Sequence, residues 1–317
     1  MELSILIVNY NGKHLLKTCL DSIHKIKLPI KDYEIIIVDN NSNDGSAEYI
    51  KKNYKRARVV ENRKNLGYTG INAGLPYCRG KFILFLNNDI KIGRNCIKEL
   101  LKEIKKDSNI GMTAPRLINY YNKSMKSGGT WLSRAFYNGH LDSEPKLREI
   151  PYLGVGLIRK DIVKKFGYIF DPNYFIYAED VDLGLRLRML GYKVLFVPKA
   201  TLYHMHAMTT KSFESGYATY LLERNLLATF IKILSFNNII LFLPYVVFMR
   251  IIALIKDIMT FKISNALSRI KAFLWIIFNF SSVYRKRRIL QKMRTEDDNF
   301  ILKVFSEKHL FRKKVLV

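Results

Sequence analysis

The stretch "YEIIIVDNNSNDGS", residues 33–46, sets the reading of the chain. Its four consecutive β-branched residues, Ile35 to Val38, are too short a run for a helix and read as a strand buried on both faces. Asp39 closes the run, and a cluster of turn-forming residues follows it. "SAEYIKKNY" then reads as a helix. The same order of strand, polar end and helix recurs outward in both directions. "LSILIVNYN" is a buried strand, and "HLLKTCLDSIHKI" places Leu15, Leu16, Cys19, Leu20 and Ile23 at helical spacing. "RARVVEN" is a short strand, "YTGINAGLPYC" a loop entering a helix, and "KFILFLNNDIKI" another buried strand with a polar end. Near-continuous apolar strands alternating with helices predict an α/β fold, with a mostly parallel sheet flanked by helices on both faces. In such sheets ligands bind at the carboxyl ends of the strands, where Asn9, Asp39 and Asp89 converge.

The 317 residues suffice for one large domain or two, and 49% hydrophobic content excludes a disordered chain. Cys19, Cys78 and Cys96 show no metal-ligand spacing, and so small and odd a count suits a reducing compartment. The formal charge of +26 calls for an anionic partner. From Leu226 onward there are seventeen Lys and Arg against five Asp and Glu, in a stretch rich in Ile, Leu and Phe. Basic mixed with apolar favours an anionic membrane surface over nucleic acid. The opening "MELSILIVNYNG" has an acid at position 2 and too short an apolar run for a signal peptide, so the N-terminal part is expected in the cytoplasm.

Residues 111–174 are less regular, and "KSGGTWLSRAFYNGH" reads as a loop or β excursion able to order around a ligand. "YLGVGLIRKDIVKKFG" is a strand turning into a helix, "EDVDLGLRLRML" a helix, and "YKVLFVP" a further strand. Past about residue 213 the chain becomes helical, beginning with "ESGYATYLLERNLLATFIKIL". "IILFLPYVVFMRIIALI" is seventeen residues interrupted by Pro244 and Arg250, at the lower limit for a membrane span. "AFLWIIFNF" is too short to cross, and "YRKRRILQKMR" is a basic cluster. Helices lying in the membrane interface are expected here; helices that merely cover the catalytic core are the alternative.

Four constellations carry candidate chemistry. Asp39 at a strand end suits a ribose or base N–H, or equally an Asx turn. Asn87, Asn88 and Asp89 in "FLNNDI" offer oxygen ligands to Mg²⁺ or Mn²⁺, although in isolation a polar turn explains them better. His204 or His206 can complete a metal site begun by Asp89, but a lone histidine is more often structural. Glu179, Asp180 and Asp182 crowd the start of a helix next to Tyr174, Phe175 and Tyr177. One acid satisfies a helix dipole; three beside aromatics point to a general base in a partly desolvated pocket.

Together these stretches resemble the family-2 glycosyltransferases of GT-A fold, nearest their rhamnosyltransferase-like branch. The resemblance runs through "SILIVNYNG", "VDNNSNDGS", "NRKNLGYTGINAG", "FLNNDI" and "YLGVGLIRKDIVKKFGYIFDPNYFIYAEDVDLGLRLRMLGYKV" to "YHMHAMTT". It covers roughly two thirds of the chain. It implies a GT-A catalytic domain over 1–212, with a nucleotide-sugar half to about 110 and an acceptor half after it. Residues 213–317 form the helical, membrane-associating region.

By the same resemblance, Asp39 contacts the nucleotide base with Val8 and Tyr10 nearby. Asp89 holds Mn²⁺ or Mg²⁺ on the sugar-nucleotide diphosphate, with His204 completing the metal site. Lys64, Asn65 and Asn88 are further donor contacts, and Gly154 and Gly156 leave room beside the donor sugar. Asp180 is the catalytic base; Glu179, Asp182 and Trp131 fall on the acceptor side. Two departures stand out: Asn87 replaces the first acid of the family's DxD motif, and the "NLGYTGINAG" loop is one residue short.

The activity implied is metal-dependent, inverting transfer of one sugar in cell-envelope polysaccharide synthesis. The donor is dTDP-rhamnose or a UDP-sugar, the acceptor a glycan or polyprenyl-linked glycan, and the place the cytoplasmic face of the membrane. The competing readings are a processive synthase of the same fold and a non-catalytic nucleotide-binding module. Against the first, "LLERN" stands where such synthases carry Gln-x-x-Arg-Trp.

Overall fold

The computed structural model describes residues 1–26, 29, 32–141, 146–205 and 215–307. Strand and helix alternate as expected in β1 (Leu3–Asn9), α1 (Lys13–His24), β2 (Tyr33–Asp39), α2 (Ser46–Asn53), β3 (Ala57–Glu61) and β4 (Phe82–Asn87). β1 pairs in parallel with β2 on one side and β4 on the other, and β2 pairs with β3. Every residue of β1 is buried, as a central parallel strand requires. The chain steps outward from β1 to β3, then returns to lay β4 on the opposite side of β1. That reversal leaves a crevice at the carboxyl ends of β1 and β4. The register sets Asn9 opposite Asp39 and Val8 opposite Asn87, so the strand-end polar groups share one level.

Between β3 and β4 the chain forms a 3₁₀ helix, Gly67–Tyr77, where a loop leading into a helix was expected. A Cβ on Gly74 would lie 2.4 Å from Leu6 Cδ1, so only glycine lets this segment lie flat on the sheet.

The second half holds more strand than its sequence suggests. β5 (Ile90–Ile92) and α3 (Cys96–Ile104) precede β6 (Ile110–Asn119), a ten-residue strand inside the region read as irregular. Pro115 hid it. β6 runs parallel to β12 (Lys193–His204), and their register breaks between Val197 and Thr201, just past the pairing of Val197 with Pro115. Pro198 falls in that break, where no ladder hydrogen bond is required. The short strands β7 (Met125–Ser127), β8 (Thr130–Leu132), β9 (Asn138–His140) and β10 (Arg148–Glu149) make up the expected β excursion. β11 (Gly156–Arg159) inserts antiparallel between β4 and β6, so the sheet is mixed. α4 (Lys160–Phe166) and α5 (Glu179–Met189) follow it.

The C-terminal helices are α6 (Tyr217–Ile233), α7 (Phe236–Met259), α8 (Ile263–Phe278), α9 (Phe280–Met293) and α10 (Asp298–Leu302). α6 is largely buried, and its core is shared: Leu226, Leu227 and Phe230 pack with Val181, Leu185 and Met189 of α5. α7 has 24 residues, and an 18-residue window within it has a mean hydropathy of 2.3, enough by length and composition to cross a membrane. It buries Val246, Met249, Arg250, Ala253 and Asp257 on a single stripe. Arg250 pairs with Glu223 of α6 at 3.0 Å and donates to the Ala135 carbonyl at 2.8 Å.

Candidate active site

A cavity of about 500 Å³ opens at the carboxyl ends of β1 and β4. Val8, Asn9 and Tyr10 form one wall, Asn87 to Ile90 the floor, and Phe175 to Tyr177 with Glu179 and Asp180 the opposite wall. His204, at the end of β12, closes the floor.

β12 reaches this point by pairing antiparallel with β5, which sets His204 opposite Ile90. His204 Nε2 then lies 3.1 Å from Asp89 Oδ2. Asp89 is 5% exposed, and its Oδ1 has no hydrogen-bond partner among the described residues. A buried carboxylate oxygen without a donor, beside an imidazole nitrogen, fits a divalent cation. No cluster of three or more His, Cys, Asp or Glu suited to a metal occurs among the described residues, so Asp89 and His204 would supply only part of such an ion's coordination. His206 lies outside the described residues.

The acid wall rests on unusual backbone. Phe175, Tyr177 and Ala178 have φ of +63°, +70° and +58°, conformations that cost a non-glycine residue on the order of 1–2 kcal/mol each. Three left-handed residues in four turn the chain sharply and start α5 with Glu179 and Asp180 in the cavity. Burial pushes the Asp180 carboxyl up to about 6, against the Val181 N–H that donates to its Oδ1 at 2.9 Å. Glu179 is pushed well up as well, by burial first and then by the charge of Asp180. A Cβ on Gly154 would come within 3.3 Å of Asp180 Oδ2, so this glycine keeps the space beside the acid open. Gly156 does a different job: a Cβ there would press on Met112 and the Thr113 carbonyl of β6.

Of the residues singled out in the sequence, Val8, Tyr10, Asn65, Asn88, Asp89, Gly154, Glu179, Asp180 and His204 line this cavity. Lys64 is exposed and is not among the lining residues. Asp39 lies one layer back. Its Oδ1 accepts from Asn9 Nδ2 at 2.7 Å and from Ser42 Oγ at 2.7 Å, and its Oδ2 accepts from Ser42 N at 2.8 Å. That is the Asx turn, and it leaves Asn9 as the intermediary, with Asn88 donating to Asn9 Oδ1 at 2.6 Å. Asp182 is fully buried on the far side of α5, paired with Arg186 and with Lys232 Nζ, each at 2.6 Å. Trp131 is 3% exposed and packs on Tyr137, Met249 and Ala253, under α7 rather than in the cavity. His140, Asn40 and Tyr68 line it unexpectedly. Asn40 adjoins Asp39 at a strand end and was readable by position; His140 sits in the aperiodic excursion and gave no signal.

A mixed sheet with polar strand ends, facing acids at the start of a buried helix, defines the GT-A class of fold. The family model described as Glycosyl transferase family 2 matches residues 4–167, more than half of the sequence. The chain belongs to glycosyl transferase family 2.

Among similar curated proteins, a poly(ribitol-phosphate) beta-glucosyltransferase of Bacillus spizizenii is 35% identical over 119 residues, covering 35% of this chain and 19% of that protein. The low-salt glycan biosynthesis hexosyltransferase Agl10 of Haloferax volcanii is 25% identical, covering 71% and 74%. An N-acetylglucosaminyl-diphospho-decaprenol L-rhamnosyltransferase of Mycobacterium tuberculosis is also 25% identical, covering 66% and 77%. Among solved structures, GalNAc-T7 with UDP, GalNAc and Mn²⁺ aligns over 99% of this chain and 58% of its own, with a TM-score of 0.72 and 16% identity. S. aureus TarS 1-349 in complex with UDP aligns over 74% of this chain and 66% of its own, with a TM-score of 0.55 and 18% identity. At these identities the structures share the fold.

Proposed function

We propose that the chain transfers one sugar from a nucleoside-diphosphate sugar to a hydroxyl of a glycan or polyprenyl-linked glycan, with inversion at the anomeric carbon. The observation that carries this reading is that one cavity holds both Asp180, raised to about 6 by burial, and the Asp89–His204 pair. Val8, Tyr10 and Asn65 are the donor-side wall, and Asp39 acts on it through Asn9. Asp89 and His204 would hold Mn²⁺ or Mg²⁺. Such an ion supplies positive charge against the departing nucleoside diphosphate. Asp180, ionised, accepts the proton of the acceptor hydroxyl as its oxygen approaches the anomeric carbon from the face opposite the diphosphate. Glu179 is the acid beside the acceptor. The names of the curated relatives, a hexosyltransferase and a decaprenol-linked rhamnosyltransferase, support a hexose or rhamnose donor and a lipid-linked acceptor.

The processive-synthase reading is disfavoured by "LLERN": Glu223, Arg224 and Asn225 are buried and occupied with other protein groups.

The apolar outer surface of α7 and α8 supports a place on the membrane. Leu241, Phe248, Phe261, Ile277 and Phe278 are exposed there, with Arg288 and Lys292 beside a groove on α9. Lifting α7 into a span would separate Arg250 from Glu223, and breaking a buried pair costs about 3–5 kcal/mol. An interfacial position at the cytoplasmic face, with the buried stripe of α7 kept on the body, avoids that loss.

Thermal stabilisation by a panel of nucleotide sugars, with and without Mn²⁺, tests the donor assignment. Donors that all leave the melting temperature unchanged, with metal and without, would overturn it.

A further inference from the structure

The turn that presents Asp180 is held from within by little more than the Ile176 N–H, which donates to the Tyr174 carbonyl at 2.8 Å. Its left-handed residues Phe175, Tyr177 and Ala178 persist only if the surroundings over-determine them. Five consecutive carbonyls, from Asn173 to Tyr177, all accept hydrogen bonds, and four of the five receive them from α6. The two hydrogens of Asn225 Nδ2 are shared among the carbonyls of Tyr174 at 3.1 Å, Ile176 at 3.2 Å and Tyr177 at 2.7 Å. Arg224 Nη2 donates to those of Asn173 and Tyr174, each at 3.1 Å. The fifth, Phe175, accepts from the Thr69 N–H at 3.3 Å, on the donor-side 3₁₀ helix.

The Asn225 amide is itself oriented. Arg224 Nε donates to Asn225 Oδ1 at 2.9 Å, so the NH₂ must face the turn. Arg224 is fixed in turn by its place over the Trp275 ring, 4.9 Å from the centroid. Farther along α6, Lys232 Nζ pairs with Asp171 at 2.7 Å and Asp182 at 2.6 Å, tying both the approach to the turn and the first turn of α5 to the same helix.

We propose that Asn225, oriented by Arg224, is the positioning residue of the active site: α6 sets the turn 173–178 and so aims Asp180 at the acceptor hydroxyl. The role of Asp180 rests on the function proposed above; the clamp on the turn does not. Asn225 touches no substrate. It acts through the backbone, and its loss lets the acid drift while the donor wall stays in place.

The test compares Asn225→Ala with Val246→Ala, a truncation in α7 that shares an apolar cluster with Ala178 and Val181 but removes no hydrogen bond to the turn, in the full-length protein. Asn225→Ala should lower kcat about 10- to 100-fold, the effect of an ångström-scale misplacement, while the KM for donor stays within about twofold. Val246→Ala should lose thermal stability and keep the parental kcat per folded molecule. Arg224→Lys, which releases the amide but keeps a cation, should give a smaller fall in the same direction, and it serves where Asn225→Ala does not fold. Amide hydrogen exchange supplies a readout free of activity: residues 175–181 should exchange faster in Asn225→Ala and as in the parent in Val246→Ala. Parental kcat or parental exchange in Asn225→Ala, or an equal kcat loss in Val246→Ala, overturns the proposal. A parent that transfers no sugar overturns the glycosyl-transfer reading, and the exchange comparison then decides the clamp alone.

Discussion

His204 Nε2 lies 3.1 Å from Asp89 Oδ2, and the other oxygen of that carboxylate has no partner among the described residues. The pair joins the end of the last sheet strand to the end of "FLNNDI", two stretches far apart in sequence. Asp89 is the one carboxylate in that motif, so nothing beside it can substitute. Asp89→Ala should therefore abolish the Mn²⁺ dependence of nucleotide-sugar binding, read by titration calorimetry with and without the metal. Donor and metal binding at parental strength would place the site elsewhere.

Asp180→Asn keeps size and shape and removes the proposed proton acceptor. Transfer should fall by about 10²- to 10⁴-fold, with donor affinity retained. Asparagine is also a good residue at a helix start, so a purely structural Asp180 would leave turnover nearly intact. Glu179→Gln is the companion measurement and should cost less. A collapse in Glu179→Gln with normal transfer in Asp180→Asn would move the base by one residue.

The raised carboxyl of Asp180 fixes a pH profile. Burial takes it to about 6, whereas an unfolded aspartate titrates near about 3.9. As the proposed base, Asp180 works only when ionised, so kcat should rise with pH through about 6 and level off above it. Stability runs the other way for this group. The folded chain holds the proton more tightly than the unfolded one, so the group favours folding as pH falls from about 6 towards 4 and disfavours it most above 6. An acid limb centred near 4 would mean that the acid is solvated in the working enzyme.

Vesicle binding should depend on both lipid charge and salt. Exposed cations such as Arg288 and Lys292 attract anionic headgroups over a screening length of about 8–10 Å, so flotation with anionic vesicles should weaken as salt rises. Phe248→Glu, on the exposed face of α7, should weaken it further with little change in melting temperature. Binding indifferent to lipid charge, to salt and to Phe248 would count against an interfacial position.

Much of residues 1–110 was legible because the signals there are local. Runs such as Ile35 to Val38 announce central strands, and strand ends then locate Asn9, Asp89 and their neighbours without tertiary information. β6 was lost because Pro115 interrupts its apolar run, and the proline sits past the last residue paired with β11 and next to the register break with β12. Asp182 and Trp131 were misplaced for a related reason. Sequence spacing brings Asp182 near Asp180, but successive helix positions face different ways, and Asp182 points to Arg186 and Lys232. Trp131 is an aromatic in an aperiodic stretch, and nothing local distinguishes a ligand platform from a core residue under α7. Asp39 showed both its options in sequence, and only the hydrogen bonds to Ser42 reveal which one it takes.

The order in which the chain leaves the ribosome gives the bond between α6 and the 173–177 carbonyls one more meaning. By the time residue 205 is made, every strand of the sheet and every acid of the cavity exists. Three carbonyls of the turn before Asp180, those of Asn173, Ile176 and Tyr177, still lack their donors, because Arg224 and Asn225 have not yet been synthesised. A nascent or prematurely ended chain thus holds a full set of site residues without the arrangement that would let them act. Assembly of the site waits on α6.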